Sequence, residues 1–209
     1  AKAMADKLGI EIVAMEEHKA TTLSEMESLT RIKGKKPDVL FISSTPAPTA
    51  VIIKNAHELG MWPGITIASG HAGFTKALID LAGADLAEGV YGVYPMVTWD
   101  DNVPGIAKAK EYCEKYNPGD MGNVDYLSTW TSTLIIAEIL KSALKEVGYE
   151  KLAKGDVEAR RAVEKYGIQK LSGYKVEGLI PAGISYTPGD NRLSNSFRVL
   201  KIAGGKIVP

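Results

Sequence analysis

One repeating unit dominates roughly the first 95 residues: a short apolar run followed by a helical pattern. The runs IEIVAM, DVLFIS, ITIAS and GVYGVY begin at residues 10, 38, 65 and 89, so they recur every 24–28 residues. That interval is the length of one strand–helix unit. The runs are continuously apolar and do not alternate, which predicts strands covered on both faces of a parallel sheet. The repeat therefore predicts an α/β fold with doubly wound parallel sheets.

End signals predict the helices between these strands. Thr22 and Glu25 form a capping-box pattern before SEMESLTRIKG. Gly9, Gly60 and Gly83 each follow a helical pattern, where glycine commonly ends a helix. Beyond residue 94 the pattern changes to a proline-containing connector. After it we expect helices at 106–116, 126–147 and 157–166, a turn at Pro188–Asn191, a strand at 197–202 and a hairpin turn at GGK.

Composition argues against several classes of partner. The 25 basic and 25 acidic residues cancel, so no electrostatic footprint for nucleic acid or an anionic membrane is present. No apolar run approaches the roughly 18 residues that a membrane-spanning helix needs. The single cysteine, Cys113, cannot form an internal disulfide, and its helical spacing from Ile106 and Ala109 predicts a buried small side chain.

Signatures of catalysis and of metal binding are missing from the sequence. It has no glycine-rich phosphate loop, no His-Glu-x-x-His and no Gly-x-Ser-x-Gly. The three histidines lie 39 and 14 residues apart, and we expect His18 and His57 on the surface. Asp100 and Asp101 are expected to cap the next helix. We therefore expect no catalytic residue, no metal and no cofactor, and the chain is not predicted to be an enzyme.

Two predicted strand ends carry unusual polar groups. FISSTPAPTA (41–50) passes from a strand through Ser44 and Thr45 into a helix at Pro46, and SGHAG (69–73) places His71 between small residues. In parallel sheets, ligands bind at the carboxyl ends of strands. Hydroxyls, an imidazole and free backbone N–H groups at a helix N-terminus would suit a carboxylate or another polar head group. The alternative is that the serines and the threonine only cap helices.

Several stretches together resemble a known family. KLGIEIVAMEEH, KPDVLFI, GADLAEGVY (83–91) and GDNRLSNSFRVLKIAGGKIV resemble the type I periplasmic solute-binding proteins of the branched-chain amino acid (Leu/Ile/Val) ABC transporter class. The resemblance implies a two-lobe α/β fold with ligand in the cleft between doubly wound lobes. Residues 1–93 would form the second lobe and 94–103 a hinge crossing. Residues 104–180 would be the helical part of the first lobe, and 181–209 the return crossing and closing strands. The N-terminal half of the first lobe would be absent from this chain.

The resemblance also implies roles for single residues. Thr45 matches a ligand-contacting position, and His71 stands where an acidic residue commonly pairs with the ligand ammonium. Tyr126 and Leu127 match a wall of the side-chain pocket. The hinge would contain Tyr94, Pro95, Met96 and Trp99, and for Met96 and Trp99 ordinary hinge packing is favoured over direct contact with the ligand. With an imidazole in place of the acid, the ligand is an amino acid or, at least as readily, a small organic acid, aromatic carboxylate or amide.

The main functional prediction is an extracytoplasmic solute-binding receptor of an ABC importer, periplasmic or membrane-anchored. Its partners would be a small-molecule ligand and the membrane permease subunits, with no nucleic acid. A ligand-sensing regulatory domain of the same fold is the alternative, and an enzyme on a doubly wound fold is a third reading.

Overall fold

Two compact units make up the chain in the computed structural model, which describes residues 2–190 and 192–209. The first, here the sheet unit, contains the residues up to Tyr94 together with Val199–Pro209. The second, the helical unit, is Pro95–Arg198. The chain therefore passes from one unit to the other after Tyr94 and returns after Arg198. Whether these units are the two lobes implied by the resemblance stays a prediction.

In the described residues the sheet unit is built on a five-stranded sheet in the order β1-β2-β3-β4-β5. The strands are β1 (Val39–Ile42), β2 (Thr66–Ser69), β3 (Tyr91–Tyr94), β4 (Arg198–Ala203) and β5 (Lys206–Val208). The first three pair in parallel, as the repeat predicts, whereas β4 and β5 form an antiparallel hairpin. Gly204 and Gly205 make its turn with φ of +57° and +72°, which confirms the predicted GGK turn.

The described part of the sheet unit contains five α-helices, and two of them bury apolar side chains together with the sheet. The five are α1 (Lys2–Leu8), α2 (Met26–Gly34), α3 (Pro46–Glu58), α4 (Lys76–Ala82) and α5 (Ala84–Ala87). Ile53 of α3 and Leu78 of α4 are fully buried, as is Ile67 of β2. A Cβ at Gly92 of β3 would fall 2.1 Å from the ring of Phe74, so glycine at 92 makes room for that ring in the core.

The prediction that both sheet faces are covered is wrong for the described residues. Burial alternates along β1: Leu40 and Ile42 are buried, whereas Val39 and Phe41 are 54% and 57% exposed. On β4, Val199 is 66% exposed while Leu200 is buried. A continuous apolar run indicates that a strand can be covered on both sides, but it cannot say whether the covering element is present.

The predicted strand at 10–15 is also wrong, because this segment is irregular in the structure. An extended segment becomes a strand only beside another strand. Within the described part of the chain, residues 11–17 make no backbone hydrogen bond, so the β-branched pattern of Ile10, Ile12 and Val13 finds no partner there. All three side chains are exposed.

The capping box at Thr22 is a third wrong prediction. Helix α2 begins at Met26, and Glu25 occupies the N-cap position without a side-chain capping bond. The backbone N–H of Glu25 donates to Oδ1 of Asn55 at 2.7 Å, and the hydroxyl of Thr22 donates to the carbonyl of Ser24. The Thr22 hydroxyl and the Glu25 N–H, which a capping box would join, therefore each bond to another residue.

The helical unit matches the predicted helices closely. It contains α6 (Pro104–Tyr116), α7 (Val124–Val147), α8 (Tyr149–Leu152) and α9 (Val157–Tyr166). Asn123 caps α7 by accepting from the N–H of Asp125, and Asp156 caps α9 by accepting from the N–H of Ala159 at 2.8 Å. The buried residues Leu171, Val176, Ile180 and Ile184 form an apolar cluster after α9.

Of the remaining predictions for single residues, some are confirmed and others are wrong. Cys113 is fully buried, as predicted. His57 is not a free surface group, because it is half-buried and its Nε2 lies 3.1 Å from the carbonyl oxygen of Leu86. Asp101 does not cap α6, because its carboxylate accepts from Thr98 and Arg198 instead. In the predicted turn, Thr187 pairs with Asp190, and Asn191 lies outside the described residues.

No helix in the described ranges combines the length and the apolar character that crossing a bilayer requires.

Candidate functional site

An open pocket of about 490 Å³ lies in the sheet unit at the carboxyl ends of β1 and β2. We call it the strand-end pocket. Its size is in the range of small-molecule sites, roughly 300–1,000 Å³. Three segments of the chain meet around it, and the lining residues are His18, Ala20, Ser43, Ser44, Thr45, Gly70, His71 and Ala72. The structure thus brings Ser44, Thr45 and His71 together, although sequence reasoning placed them on separate strand ends.

The end of β1 supplies the hydroxyls of the pocket. Thr45 is the N-cap residue of α3, with φ −87° and ψ 170°, but its side chain makes no capping hydrogen bond. Its carbonyl instead accepts from the N–H of Thr49 at 3.2 Å and from the hydroxyl of Thr49 at 2.8 Å. For Thr45, therefore, helix capping does not account for the hydroxyl at this position.

The expected backbone donors at this helix start are largely missing. Of the first three residues of α3, only Ala47 has an N–H, because Pro46 and Pro48 are prolines. The N–H of Thr49 is already used by Thr45. Hydroxyl groups, rather than a cradle of amides, are consequently the main polar groups on this side. Pro46 opens α3 and is not among the lining residues.

The segment after β2 packs closely against the end of β1 because Gly73 has no side chain. A Cβ there would lie 2.6 Å from Oγ of Ser69, 2.7 Å from Oγ1 of Thr49 and 2.8 Å from the carbonyl oxygen of Ser44. Ser69 and Thr49 are fully buried. Gly73 closes the short 3₁₀ turn His71–Gly73, so its close packing fixes where His71 stands.

The imidazole of His71 also contacts the last residue of the third strand. Its ring stands edge-on to the ring of Tyr94, with centroids 4.9 Å apart and an interplanar angle of 65°. Tyr94 is fully buried. Edge-to-face aromatic pairs are favourable, so this contact orients the imidazole at the pocket.

Sequence reasoning missed His18, which it expected on the surface. The segment before it is held to α2 by two hydrogen bonds from Arg31 to Glu16, at 3.0 and 2.8 Å. The hydrogen bond from Arg31 lowers the pKa of the Glu16 carboxyl. His18 follows two residues later and is half-buried at the pocket. No local pattern marks this residue, because it lies in an irregular segment whose path to the pocket is set by the tertiary structure.

The remaining predicted ligand contacts, Tyr126 and Leu127, lie in the first turn of α7 in the helical unit. Leu127 is 1% exposed. The ring of Tyr126 lies 5.9 Å from that of Trp99, whose Nε1 donates to the carbonyl of Asn123 at 2.8 Å. Their roles in ligand binding stay predictions.

The predicted hinge residues lie at the passage between the units. Tyr94 ends β3, and Pro95, Met96 and Trp99 begin the helical unit. Met96 and Trp99 are buried, and the N–H of Val97 donates to the carbonyl of Leu179 at 3.0 Å. Packing within the helical unit therefore accounts for Met96 and Trp99. A hinge role for the four residues stays a prediction.

Within residues 2–190 and 192–209, no three His, Cys, Asp or Glu side chains form a cluster that could hold a metal ion.

Solved structures share this fold. A branched-chain amino acid ABC transporter protein from Thermus thermophilus with bound valine has a TM-score of 0.77 at 23% identity, covering 100% of this chain and 54% of its own. An extracellular ligand-binding receptor from Rhodopseudomonas palustris has 0.78 at 20%, covering 99% and 57%. A fatty acid ABC transporter substrate-binding protein from Thermomonospora curvata has 0.74 at 19%, covering 99% and 51%. The chain thus spans about half the length of these proteins.

Among curated proteins, no sequence matches this chain. A family model does: the model described as periplasmic binding protein matches residues 1–206, nearly the whole chain. This confirms the resemblance noted from the sequence and the predicted type I α/β fold. The chain belongs to the periplasmic binding protein family.

Proposed function

We propose that this chain is part of an extracytoplasmic solute-binding receptor of an ABC importer, which binds a small amino acid or organic acid. The observation that carries the proposal is the strand-end pocket, where three chain segments place hydroxyl and imidazole groups at the carboxyl ends of parallel strands. Ligands bind at that edge of open α/β sheets. The pocket is large enough for a small solute.

The similar structures support the same class of function. One is described with bound valine and another as a fatty acid substrate-binding protein, so this fold serves ligands with and without an amino group. Both are named as ABC transporter proteins. By analogy, the partners of this protein are the permease subunits of a membrane transporter, and its place is outside the cytoplasm.

Transport by such a receptor requires a conformational change that depends on ligand. A ligand that contacts two units more favourably in one arrangement shifts the population toward that arrangement. We propose Tyr94, Pro95, Met96 and Trp99 as the segment that absorbs the rotation, with Pro95 restricting it. Tyr126 and Leu127 are proposed as ligand contacts from the helical unit.

The test is calorimetric titration with a panel of amino acids and small organic acids. We expect at least one solute to bind with one-to-one stoichiometry. Thr45→Val keeps the shape of the side chain and removes its hydroxyl, so it should weaken binding by about tenfold, the effect of one hydrogen bond of ~1.4 kcal/mol.

The control is Thr66→Val, which removes a hydroxyl from the exposed face of β2, away from the pocket. This variant should bind like the wild type. Failure of the folded protein to bind any solute of the panel would contradict the proposal. Equal affinity of Thr45→Val and wild type would contradict the role of the Thr45 hydroxyl in binding.

A further inference from the structure

We infer that Arg31 is a positioning residue of the strand-end pocket, where it acts through Glu16. Residues 16–20 form one side of the pocket through His18 and Ala20, and we call them the third wall. The inference rests on the proposed function, because it concerns the affinity of the same pocket for its solute. It gives a part in binding to a residue that does not itself line the pocket.

The third wall is held by few contacts of its own. Four of its five residues are exposed, and only His18 is half-buried. In the part of the chain that the structure describes, its only hydrogen bonds to a residue more than three positions away are those with Arg31. Described residues 2–15, which precede it, make hydrogen bonds only among themselves. Neither burial nor backbone pairing therefore fixes the third wall.

Arg31 binds Glu16 with the geometry of a strong ion pair. Its Nε lies 3.0 Å from Oε1 and its Nη2 lies 2.8 Å from Oε2, so both carboxylate oxygens accept from the same guanidinium. Its Nη1 also donates to Oε1 of Glu27 at 2.6 Å. Exposed ion pairs usually contribute little, and bidentate pairs and charge networks are the exceptions. This arrangement is both bidentate and part of a network.

Helix α2 gives Arg31 a fixed base. The start of α2 is joined to α3 by the hydrogen bond from the N–H of Glu25 to Oδ1 of Asn55 at 2.7 Å. Leu29, two residues before Arg31, is 2% exposed and belongs to the buried core. An atom held by Arg31 is therefore held to the body of the sheet unit.

The bond to Glu16 limits where His18 can lie. Two residues of extended chain span at most about 7 Å, so a fixed Glu16 confines His18 to a small volume. On the other side, the chain is next joined to the body at Glu25. The third wall is thus a loop with two attachments, and without Arg31 it would keep only the second. A site whose wall is in place for part of the time loses affinity in proportion to that fraction.

The first measurement needs no ligand. Spin labels on Lys19→Cys in the third wall and on Ala77→Cys, an exposed position of α4, report the distance between the two by pulsed dipolar spectroscopy. The background is Cys113→Ser, which removes the native thiol. We expect one narrow distance distribution in the otherwise unchanged protein and a broad one with Arg31→Gln.

Three further variants assign the effect to the ion pair. Glu16→Gln should broaden the distribution as Arg31→Gln does, and the double variant should be no broader than either single one, because all three lack the same pair. Glu27→Gln is the matched control. It removes one partner of Arg31, leaves both bonds to Glu16 in place and should keep the narrow distribution.

Calorimetric titration then asks whether the position of the third wall matters for binding. The probes are valine, isovalerate and octanoate, three members of the panel of amino acids and organic acids. For each probe that the wild type binds, Arg31→Gln should raise Kd about fivefold, the upper end of what an exposed ion pair contributes. Arg31→Lys keeps the charge without the planar fork and should give an intermediate Kd, whereas Glu27→Gln should bind like the wild type.

The midpoint of urea unfolding separates a loss of position from a loss of fold. The side chains of Glu16, Glu27 and Arg31 are all on the surface, so none of these variants should change the midpoint appreciably. A purely structural role of Arg31 would instead lower the midpoint and leave Kd of the folded protein unchanged.

The outcomes distinguish this inference from the proposed function. An unchanged distance distribution in Arg31→Gln would overturn the inference, whether or not a probe binds. A broader distribution with unchanged Kd would overturn it as well, because the third wall would then contribute nothing to binding. If none of the probes and no other solute of the panel binds, the proposed function fails, while the distances still decide whether Arg31 holds the third wall.

Discussion

Gly73 approaches Ser44 so closely that a Cβ at position 73 would lie 2.8 Å from the Ser44 carbonyl oxygen. The two residues belong to the segments that follow β2 and β1, so this contact fixes the distance between two strand ends. The same Cβ would meet the buried hydroxyls of Ser69 and Thr49. The position of Ser44, which lines the strand-end pocket, therefore depends on the absence of a side chain at position 73.

Gly73→Ala should lower the free energy of unfolding by about 1–3 kcal/mol, the usual cost of overpacking a buried site. The Ser44 carbonyl is backbone and cannot rotate away. Gly70→Ala is the matched control in the same pocket, because its Cβ would meet nothing nearer than 3.9 Å and its φ of −67° suits alanine. The control should change stability by less than about 1 kcal/mol. Urea unfolding followed by tryptophan fluorescence measures both; equal effects would contradict the steric argument.

How far the sequence predicted this fold depends on how local each signal was. The strands at Val39–Ile42, Thr66–Ser69 and Tyr91–Tyr94 lie in short apolar runs bounded by helix and turn signals, and all were found. The run at 10–15 has the same composition and still forms no strand, because pairing depends on a neighbour elsewhere in the chain. An apolar pattern indicates that a segment can form a strand, but it does not indicate whether a neighbouring strand is present to pair with it.

The residues of the strand-end pocket also differ in how far the sequence predicted them. Ser44, Thr45 and His71 were predictable because small polar residues at the ends of parallel strands converge at one edge. His18 was not, because it lies in an irregular segment that no local pattern brings to the pocket. The shortage of amide donors at α3 was readable from Pro46 and Pro48, whose missing N–H groups follow from the sequence alone.

The alternating burial of β1 predicts opposite effects at neighbouring residues. Phe41 is 57% exposed on the open sheet face, so Phe41→Thr should change the free energy of unfolding by less than about 1 kcal/mol. It should also reduce self-association of the chain, because exposed apolar patches drive it. Sedimentation velocity at increasing protein concentration measures that association.

Leu40→Ala provides the contrast for Phe41→Thr. Leu40 is 8% exposed, and truncating a buried leucine costs about 2–5 kcal/mol. We expect this variant to be clearly destabilised and to self-associate no less than the wild type. A large loss of stability in Phe41→Thr would mean that the outer face of β1 is covered in solution.

The ion pair between Asp101 and Arg198 predicts a pH-dependent contribution to stability. Burial alone would raise the pKa of the Asp101 carboxyl, but hydrogen bonds from Arg198 and Thr98 outweigh it and lower the pKa. The unfolded value is about 3.9. The stabilisation is therefore complete above that pH and is lost as the pH falls through the lower folded pKa.

Asp101→Asn should lower the free energy of unfolding at pH 7 by about 1–3 kcal/mol, the range for hydrogen bonds to a charged group. The difference from wild type should shrink as the pH falls below the unfolded value and through the lower folded pKa. Asp80→Asn breaks the exposed pair with Lys76 and should cost less than about 0.5 kcal/mol at any pH. Urea unfolding at several pH values checks both variants. A difference for Asp101→Asn that persists unchanged at low pH would show that the ion pair is not its source.

The burial of Cys113 predicts that its thiol does not react with thiol reagents until the structure around it unfolds. This residue is fully buried on α6, and its thiol donates to the carbonyl of Asn117 at 3.2 Å. Burial raises the pKa of the thiol, so both access and thiolate are limited in the native state. We expect a disulfide reagent at pH 8 to label native protein at least 100-fold more slowly than protein in 8 M urea. Because the chain has one cysteine, Cys113→Ser supplies the blank, and the labelling rate at intermediate urea reports opening of the structure around α6. Rapid stoichiometric labelling without urea would mean that α6 is not packed as described.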